Sequence, residues 1–270
     1  MIGNPPEGVQ RLTARSPFPR GEDGRPLVPD DLLERVRAVT NEEAWAVLDR
    51  QHGYRFQFSG GWFQLHPDVV LVGRAVTAAF VPARPDLDEA VQEEGGDAAR
   101  PGKHNTWVID RLGPRDALVV DLFGKVRDGT FIGDNLATAI WSRTGTGLVV
   151  EGGIRDMTRV DELEGLSVFA RGVDPSAIAD VSLAGVNVPV RVGGATVLPG
   201  DVVLGTRTGV TFIPPHLVEE VVLHSEDVRT RDVFGKQRIA EGRYTSGQID
   251  VNRWDPAIET DFQAWLAGRG

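Results

Sequence analysis

Cysteine is absent from all 270 residues. That excludes disulfides, a thiolate nucleophile and Cys-ligated zinc. Positive charge is in short supply. Lys and Arg number 29 against 39 Asp and Glu, for a net charge of −10. No net field draws a phosphate backbone to such a chain, which argues against a general nucleic-acid binder while leaving a local basic patch open. Long apolar runs are missing too: nothing approaches the ~18–20 residues of a membrane span. The first twenty residues contain Pro5, Pro6, Pro17 and Pro19 and no apolar core of a secretory signal. The expectation is a soluble, cytoplasmic protein with no membrane or nucleic-acid partner.

Several chemical motifs are also lacking. There is no GxxxxGK[ST] loop, no GxSxG elbow and no HExxH helix. Gly145-Thr146-Gly147 begins like a dinucleotide loop, but Val150 stands where the third glycine belongs. The five histidines, His52, His66, His104, His216 and His224, are not paired at metal-ligand spacing. They read as capping, surface or core residues. His104, between Lys103 and Asn105, fits that reading least well.

Glycine, by contrast, is abundant: 32 residues, well above the usual ~7%. The texture of the chain divides it in three. Residues 1–68 read as an N-terminal extension. It comprises a Pro/Gly-rich arm through residue 29, a short helix capped by Asp30 or Asp31, and a second capped by Thr40 or Asn41. Residues 69–242 read as one α/β domain. Strands are expected over 69–81, 117–122, 147–154, 167–170, 188–192, 201–204 and 210–213. Helices are expected over 104–112, 136–141 and 215–242, and 82–103 reads as a loop. The later strands suggest a small β layer or partial barrel. Residues 243–270 form a tail with a short helix over 256–266.

Two elements carry the chemistry. Gly133-Asp134-Asn135-Leu136 opens a helix. Glu151-Gly152-Gly153-Ile154-Arg155-Asp156 follows the apolar Leu148-Val149-Val150. Twenty residues separate Asp134 from Arg155, enough for a helix and a returning strand, so both elements can share one sheet edge. Unpaired amides at the helix start suit a small carboxylate. Asp156 offers a hard oxygen ligand and Asp134 can support metal-bound waters, the habit of Mg²⁺. Arg155 can hold a carboxylate or keto oxygen and stabilise an enolate. Gly152 and Gly153 would let the backbone approach a ligand. The plainer reading is a turn with a surface ion pair and a helix-start charge. Lys125 could touch a substrate oxygen or be a solvated turn lysine. Trp62 and Phe63, near His66, could line a pocket but suit packing better.

The ordered motifs resemble the class II pyruvate aldolases of the 4-hydroxy-4-methyl-2-oxoglutarate/4-carboxy-4-hydroxy-2-oxoadipate aldolase family, which share a fold with RraA-type regulators of ribonuclease E. The resemblance rests on Asp134 spaced twenty residues before Arg155-Asp156, on Gly73-Arg74-Ala75-Val76-Thr77, on Val192-Gly193-Gly194 and on Pro199-Gly200-Asp201. It implies a swivelling α/β/α domain with N- and C-terminal extensions, assembled as a homotrimer or homohexamer with sites between subunits. It also implies Mg²⁺ or Mn²⁺ held by Asp156, and by Asp134 through water that can act as acid and base. Arg155 would contact a pyruvate moiety, and the amides of Gly133, Asp134, Asn135 and Leu136 would hold the substrate carboxylate. The implied reaction is cleavage of a 4-hydroxy-2-oxo acid to pyruvate and a second carbonyl compound, with oxaloacetate decarboxylation beside it. Dehydration or decarboxylation of a sugar-derived acid, or a non-catalytic regulator, are the alternatives. Regulators of this type generally lack the complete acid-to-Arg-Asp set. Arg171 would pair at a subunit interface, and Glu226 or Asp232 would reach a neighbouring site. The stretch Gly205-Thr206-Arg207-Thr208-Gly209 departs from the pattern, since it lacks the acids many relatives carry.

Overall fold

The computed structural model describes residues 3–97 and 102–268. By packing they fall into two compact units, residues 1–222 and 223–270.

The first unit opens with α1 (Pro6–Leu12), α2 (Asp30–Val36) and α3 (Asn41–Trp45). Thr40 caps α3 in a reciprocal box with Glu43. Pro29, not an aspartate, stands at the start of α2 and no side chain caps it. Then come β1 (Phe58–Ser59), β2 (Phe63–Leu65), β3 (Leu71–Pro82), α4 (Pro85–Asp97), α5 (His104–Ile109) and β4 (Asp116–Thr130). They are followed by α6 (Asp134–Thr144), β5 (Gly147–Ile154), α7 (Met157–Val160), β6 (Ser167–Val173) and β7 (Val181–Val186). The unit closes with β8 (Val190–Val192), β9 (Ala195–Val197), β10 (Val202–Thr206) and β11 (Gly209–Ile213).

Nine strands make one sheet, ordered β1-β11-β10-β3-β4-β5-β6-β2, with β7 paired to β3. The central β3, β4, β5 and β6 are parallel, and β8 and β9 form a separate ribbon. Every residue of β5 is buried, as expected for a parallel strand covered on both faces. One apolar cluster joins Val76, Leu118, Val150 and Val168 to Ile140 of α6 and Val108 of α5. Another joins Val119, Val149 and Phe212 to Val192 and Val197 of the ribbon.

Three expectations fail here. Residues 82–103, read as a loop, contain α4, which starts at Pro85 where a missing N–H costs nothing. The strands of the expected small β layer divide: β10 and β11 extend the main sheet. The N-terminal arm is part of the core. Arg25 lies buried and bridges to Asp116 at 2.8 Å, and Arg74 Nη1 donates to Val28 O at 2.6 Å. Val28, Leu33, Val47 and Leu48 pack on Val202 and Ile213. Two charged groups spent on a proline-rich segment are invisible to composition, which registers only the prolines.

Helix α8 (Val218–Ala240) leads into the second unit, with α9 (Ser246–Ile249) and α10 (Pro256–Ala267). There Phe234, Ile258 and Phe262 form a small core with Trp254 and Trp265. No helix among the described residues is long and apolar enough to cross a membrane.

Candidate active site

Gly133 is the turning point between β4 and α6. It stands at the N-cap, and the Ala137 N–H reaches its carbonyl at 2.9 Å. Helix α6 ends at Gly145 in the left-handed region, as helices often do. From there β5 runs back and delivers Arg155 and Asp156 beside the start of the same helix. The approach is close enough that a side chain at position 133 would have to push these two side chains aside. A Cβ there would overlap the Asp156 carboxylate and press on Arg155 Nε at 3.0 Å. The two motifs therefore meet at the carboxyl ends of parallel strands, where α/β sheets bind ligands.

The loop that carries Gly133 is tied on both sides. Phe131 N–H donates to Gly153 O at 2.9 Å, and Arg155 N–H donates to Ile132 O at 3.0 Å. The buried Asn105 donates from Nδ2 to Phe131 O at 2.9 Å. Asn105 thus positions the loop, while His104 beside it meets Gln92 and the Trp107 ring. Burial lowers the His104 pKa, partly offset by Asp88.

Asp156 adopts a left-handed backbone at φ 57° and starts α7 without capping it through its side chain. Its carboxylate faces Arg155 Nε at 3.3 Å, and both side chains are about two-fifths exposed, 44% and 36%. Arg155 Nε itself is buried with no hydrogen-bond partner. Asp134 is more occupied. One oxygen accepts the Asn135 N–H at 2.9 Å and the other meets Arg159 at 3.2 Å. Arg159, and then that N–H, hold its pKa below the ordinary carboxylate value. The Asn135 amide is therefore spent on Asp134, which leaves those of Asp134 and Leu136 at the helix start. Arg159 escaped the sequence reading. Its signal was the three-residue step from Asp156 along α7.

Other sequence candidates go elsewhere. Gly152 and Gly153 face strand β4 instead of a ligand. Its register jumps from Asp121↔Glu151 to Lys125↔Gly152 and Thr130↔Gly153. A Cβ on Gly153 would lie 2.6 Å from Val126 O. Lys125 donates to Ala179 O at 2.8 Å. Arg171 finds its partner within the chain. It binds Glu151 at 2.8 and 3.0 Å and stacks on the Trp62 ring at 3.5 Å. Trp62 is thereby a packing residue. His66 is satisfied by Leu166 O at 2.8 Å. In the second unit Asp232 pairs with Lys236 at 2.9 Å.

Among the described residues no group of three or more His, Cys, Asp or Glu could hold a metal. A site that takes one carboxylate directly, a second through water and solvent for the rest does not need such a group. The uncapped Asp156 carboxylate over a glycine cradle fits that sparse set.

A sequence profile of the RraA-like family, described as Aldolase/RraA, matches residues 44–212. A 4-hydroxy-4-methyl-2-oxoglutarate aldolase of Thermus thermophilus is 32% identical over 107 residues, covering 40% of this chain and 64% of that one. Protein DlpA of Legionella pneumophila is 27% identical over 212 residues, covering 77% of this chain and 31% of that one. The aligned part is thus less than two thirds of either relative's length. Among solved structures, Streptomyces coelicolor RraAS2, an unusual member of the RNase ES inhibitor RraA protein family, superposes with a TM-score of 0.67 at 28% identity. It covers 78% of this chain and all of that one.

Proposed function

This chain belongs to the RraA-like (Aldolase/RraA) family, and from that premise we propose that it is a divalent-metal-dependent carbon–carbon lyase acting on a 4-hydroxy-2-oxo acid. One observation carries the reading. Arg155 and Asp156 stand together over Gly133, beside Asp134, with an Arg155 nitrogen unsatisfied and the Asp156 carboxylate unused by its helix.

Asp156 would hold Mg²⁺ or Mn²⁺ directly and Asp134 would hold its waters. The ion, when bound, supplies Lewis-acid polarisation of the 2-oxo group. Arg155 remains protonated at any working pH, so it binds and does not move a proton. Its guanidinium would face the 2-oxo oxygen, on which negative charge develops as the bond between C3 and C4 breaks and the 4-hydroxyl proton leaves to water. The substrate carboxylate would take the free amides at the start of α6, where the helix dipole favours an anion. Asp134, kept ionised by Arg159, is a fixed negative charge and not a general acid. Arg159 in turn fixes the Asp134 rotamer. The ties from Asn105 and Gly153 keep the loop in place before substrate arrives.

The test is pyruvate release across a panel of 4-hydroxy-2-oxo acids and oxaloacetate, with and without Mg²⁺. Metal-dependent pyruvate release supports the reading. No turnover on any of them overturns it and favours a non-catalytic regulator, the reading that the likeness to RraAS2 supports.

A further inference from the structure

The first unit carries a second charged concavity, which shares no residue with the candidate site. A cavity of about 470 Å³ lies between the turn after α1 and the segment that follows β11. Its walls include Arg11, Arg15, Tyr54, Asp201, Pro215 and His216. That volume is within the ~300–1,000 Å³ range of small-molecule sites.

Its charge is one-sided. Arg11 and Arg15 make no ion pair or hydrogen bond with the described residues. Just behind the turn, Arg20 uses its guanidinium on neutral acceptors, the Thr13 hydroxyl, Thr13 O at 2.7 Å and Gly24 O at 3.2 Å. No carboxylate among the described residues pairs with any of these three cations. The wall's one carboxyl group, Asp201, is fully buried and accepts the Leu198 N–H at 2.8 Å. Burial raises its pKa to about 7, so in mildly acid solution it offers no charge. On the opposite side Tyr54 Oη lies 3.4 Å from His216 Nε2. Burial, then Arg15 and His52, lower the His216 pKa, and His52 is itself held by Glu220 at 2.9 Å. The cavity thus combines unspent guanidinium donors, an imidazole and a phenol, and an apolar proline wall.

We propose that this cavity binds a small organic dicarboxylate, with Arg15 and Arg11 as its charge partners and Pro215 and Tyr54 against its carbon chain. A guanidinium presents paired donors that match a carboxylate's two oxygens. Two such groups one helical turn apart in sequence, over an apolar wall, select an anion with a body over a bare ion. The site is independent of the lyase reading.

The experiment is calorimetric titration of the full chain with succinate, and separately with inorganic phosphate. Succinate is expected to bind saturably. Its affinity should fall about tenfold or more in Arg15→Ala, since a charge-assisted pair is worth roughly 1.5 kcal/mol or more. It should fall further in the double variant with Arg11→Ala, and stay unchanged in Asp156→Ala. Arg15→Lys should lie between, because an ammonium keeps the charge without the paired donors. Both arginines are exposed, so folding is expected to survive, and near-UV dichroism checks it. Three results overturn the proposal: no saturable binding of succinate, equal binding by wild type and the double variant, or tighter binding of phosphate than of succinate. Loss of binding in Asp156→Ala with retention in Arg15→Ala also overturns it, by placing succinate at the strand-end site.

Discussion

Strand β5 carries Glu151, which pairs with Arg171 of β6, and leads four to five residues on into the pair Arg155 and Asp156; the two pairs are built differently. Glu151 and Arg171 are saturated. Arg171 fills Nε and Nη2 on Glu151 and Nη1 on the carbonyls of Gly60 and Gly61, and Gly193 N–H closes on the same carboxylate at 2.8 Å. Trp62 covers the guanidinium face. Arg155 and Asp156 touch at a single 3.3 Å contact from Nε that does not form a hydrogen bond, and both side chains are about two-fifths exposed. Saturated polar groups hold elements together; groups left short of partners are available to something else. The first pair ties β5 and β6 to the β1–β2 turn and the β8–β9 ribbon. The second ties no elements together in this way, which is why the lyase reading gives it to a ligand.

The comparison can be broken in order of expected effect. Glu151→Ala should cost about 3 kcal/mol, because it strands a mostly buried guanidinium. Urea unfolding measures it, and a loss under about 1 kcal/mol would mean that the saturated pair is not structural. Asp156→Asn keeps a residue tolerant of left-handed backbone. It should lower turnover by about 100-fold or more, roughly 2.7 kcal/mol of barrier, with the melting temperature nearly unchanged. Equal loss of stability in both variants would erase the distinction. Arg155→Lys should cut kcat by about tenfold or more, since one ammonium cannot reproduce the guanidinium fork.

A separate prediction, read in stability and not in turnover, concerns Asp201, a buried acid with no ion pair among the described residues. Its folded pKa, about 7, lies above the ordinary 3.8. The folded chain therefore holds the proton more tightly than the unfolded chain. The stability this contributes is fully present below pH 4 and is lost as pH rises through 7. Asp201→Asn should flatten that decline, which unfolding at pH 5 and pH 8 would show. A decline of the same size in the variant would assign it to another group.

Much of the central sheet was legible because parallel strands buried on both faces leave continuous apolar runs. The segment 147–154, expected to contain a buried strand, is strand along its whole length, and the spacing from Asp134 to Arg155 lets both motifs share one edge. What stayed hidden depends on long-range partners. Helix α4 was obscured by Pro82, Pro85 and the Gly95-Gly96 pair, which read as loop until tertiary packing intervenes. Strand β7 was missed for the same reason, since its pairing with β3 spans a hundred residues of sequence. Arg159, Asn105 and the bond between Arg171 and Glu151 join segments that local pattern cannot connect. Gly152 and Gly153 show the limit most plainly. Their lack of side chains is needed, but by a neighbouring strand and not by a ligand.

Gly133 has a wider bearing. Acid, arginine and aspartate could all be present and correctly spaced in a chain whose position 133 carries a methyl group. Such a chain would pass any inventory of reactive side chains and still have its Asp156 carboxylate displaced. In the lyase reading, ancestry and catalytic competence could therefore part company at a residue with no chemistry of its own.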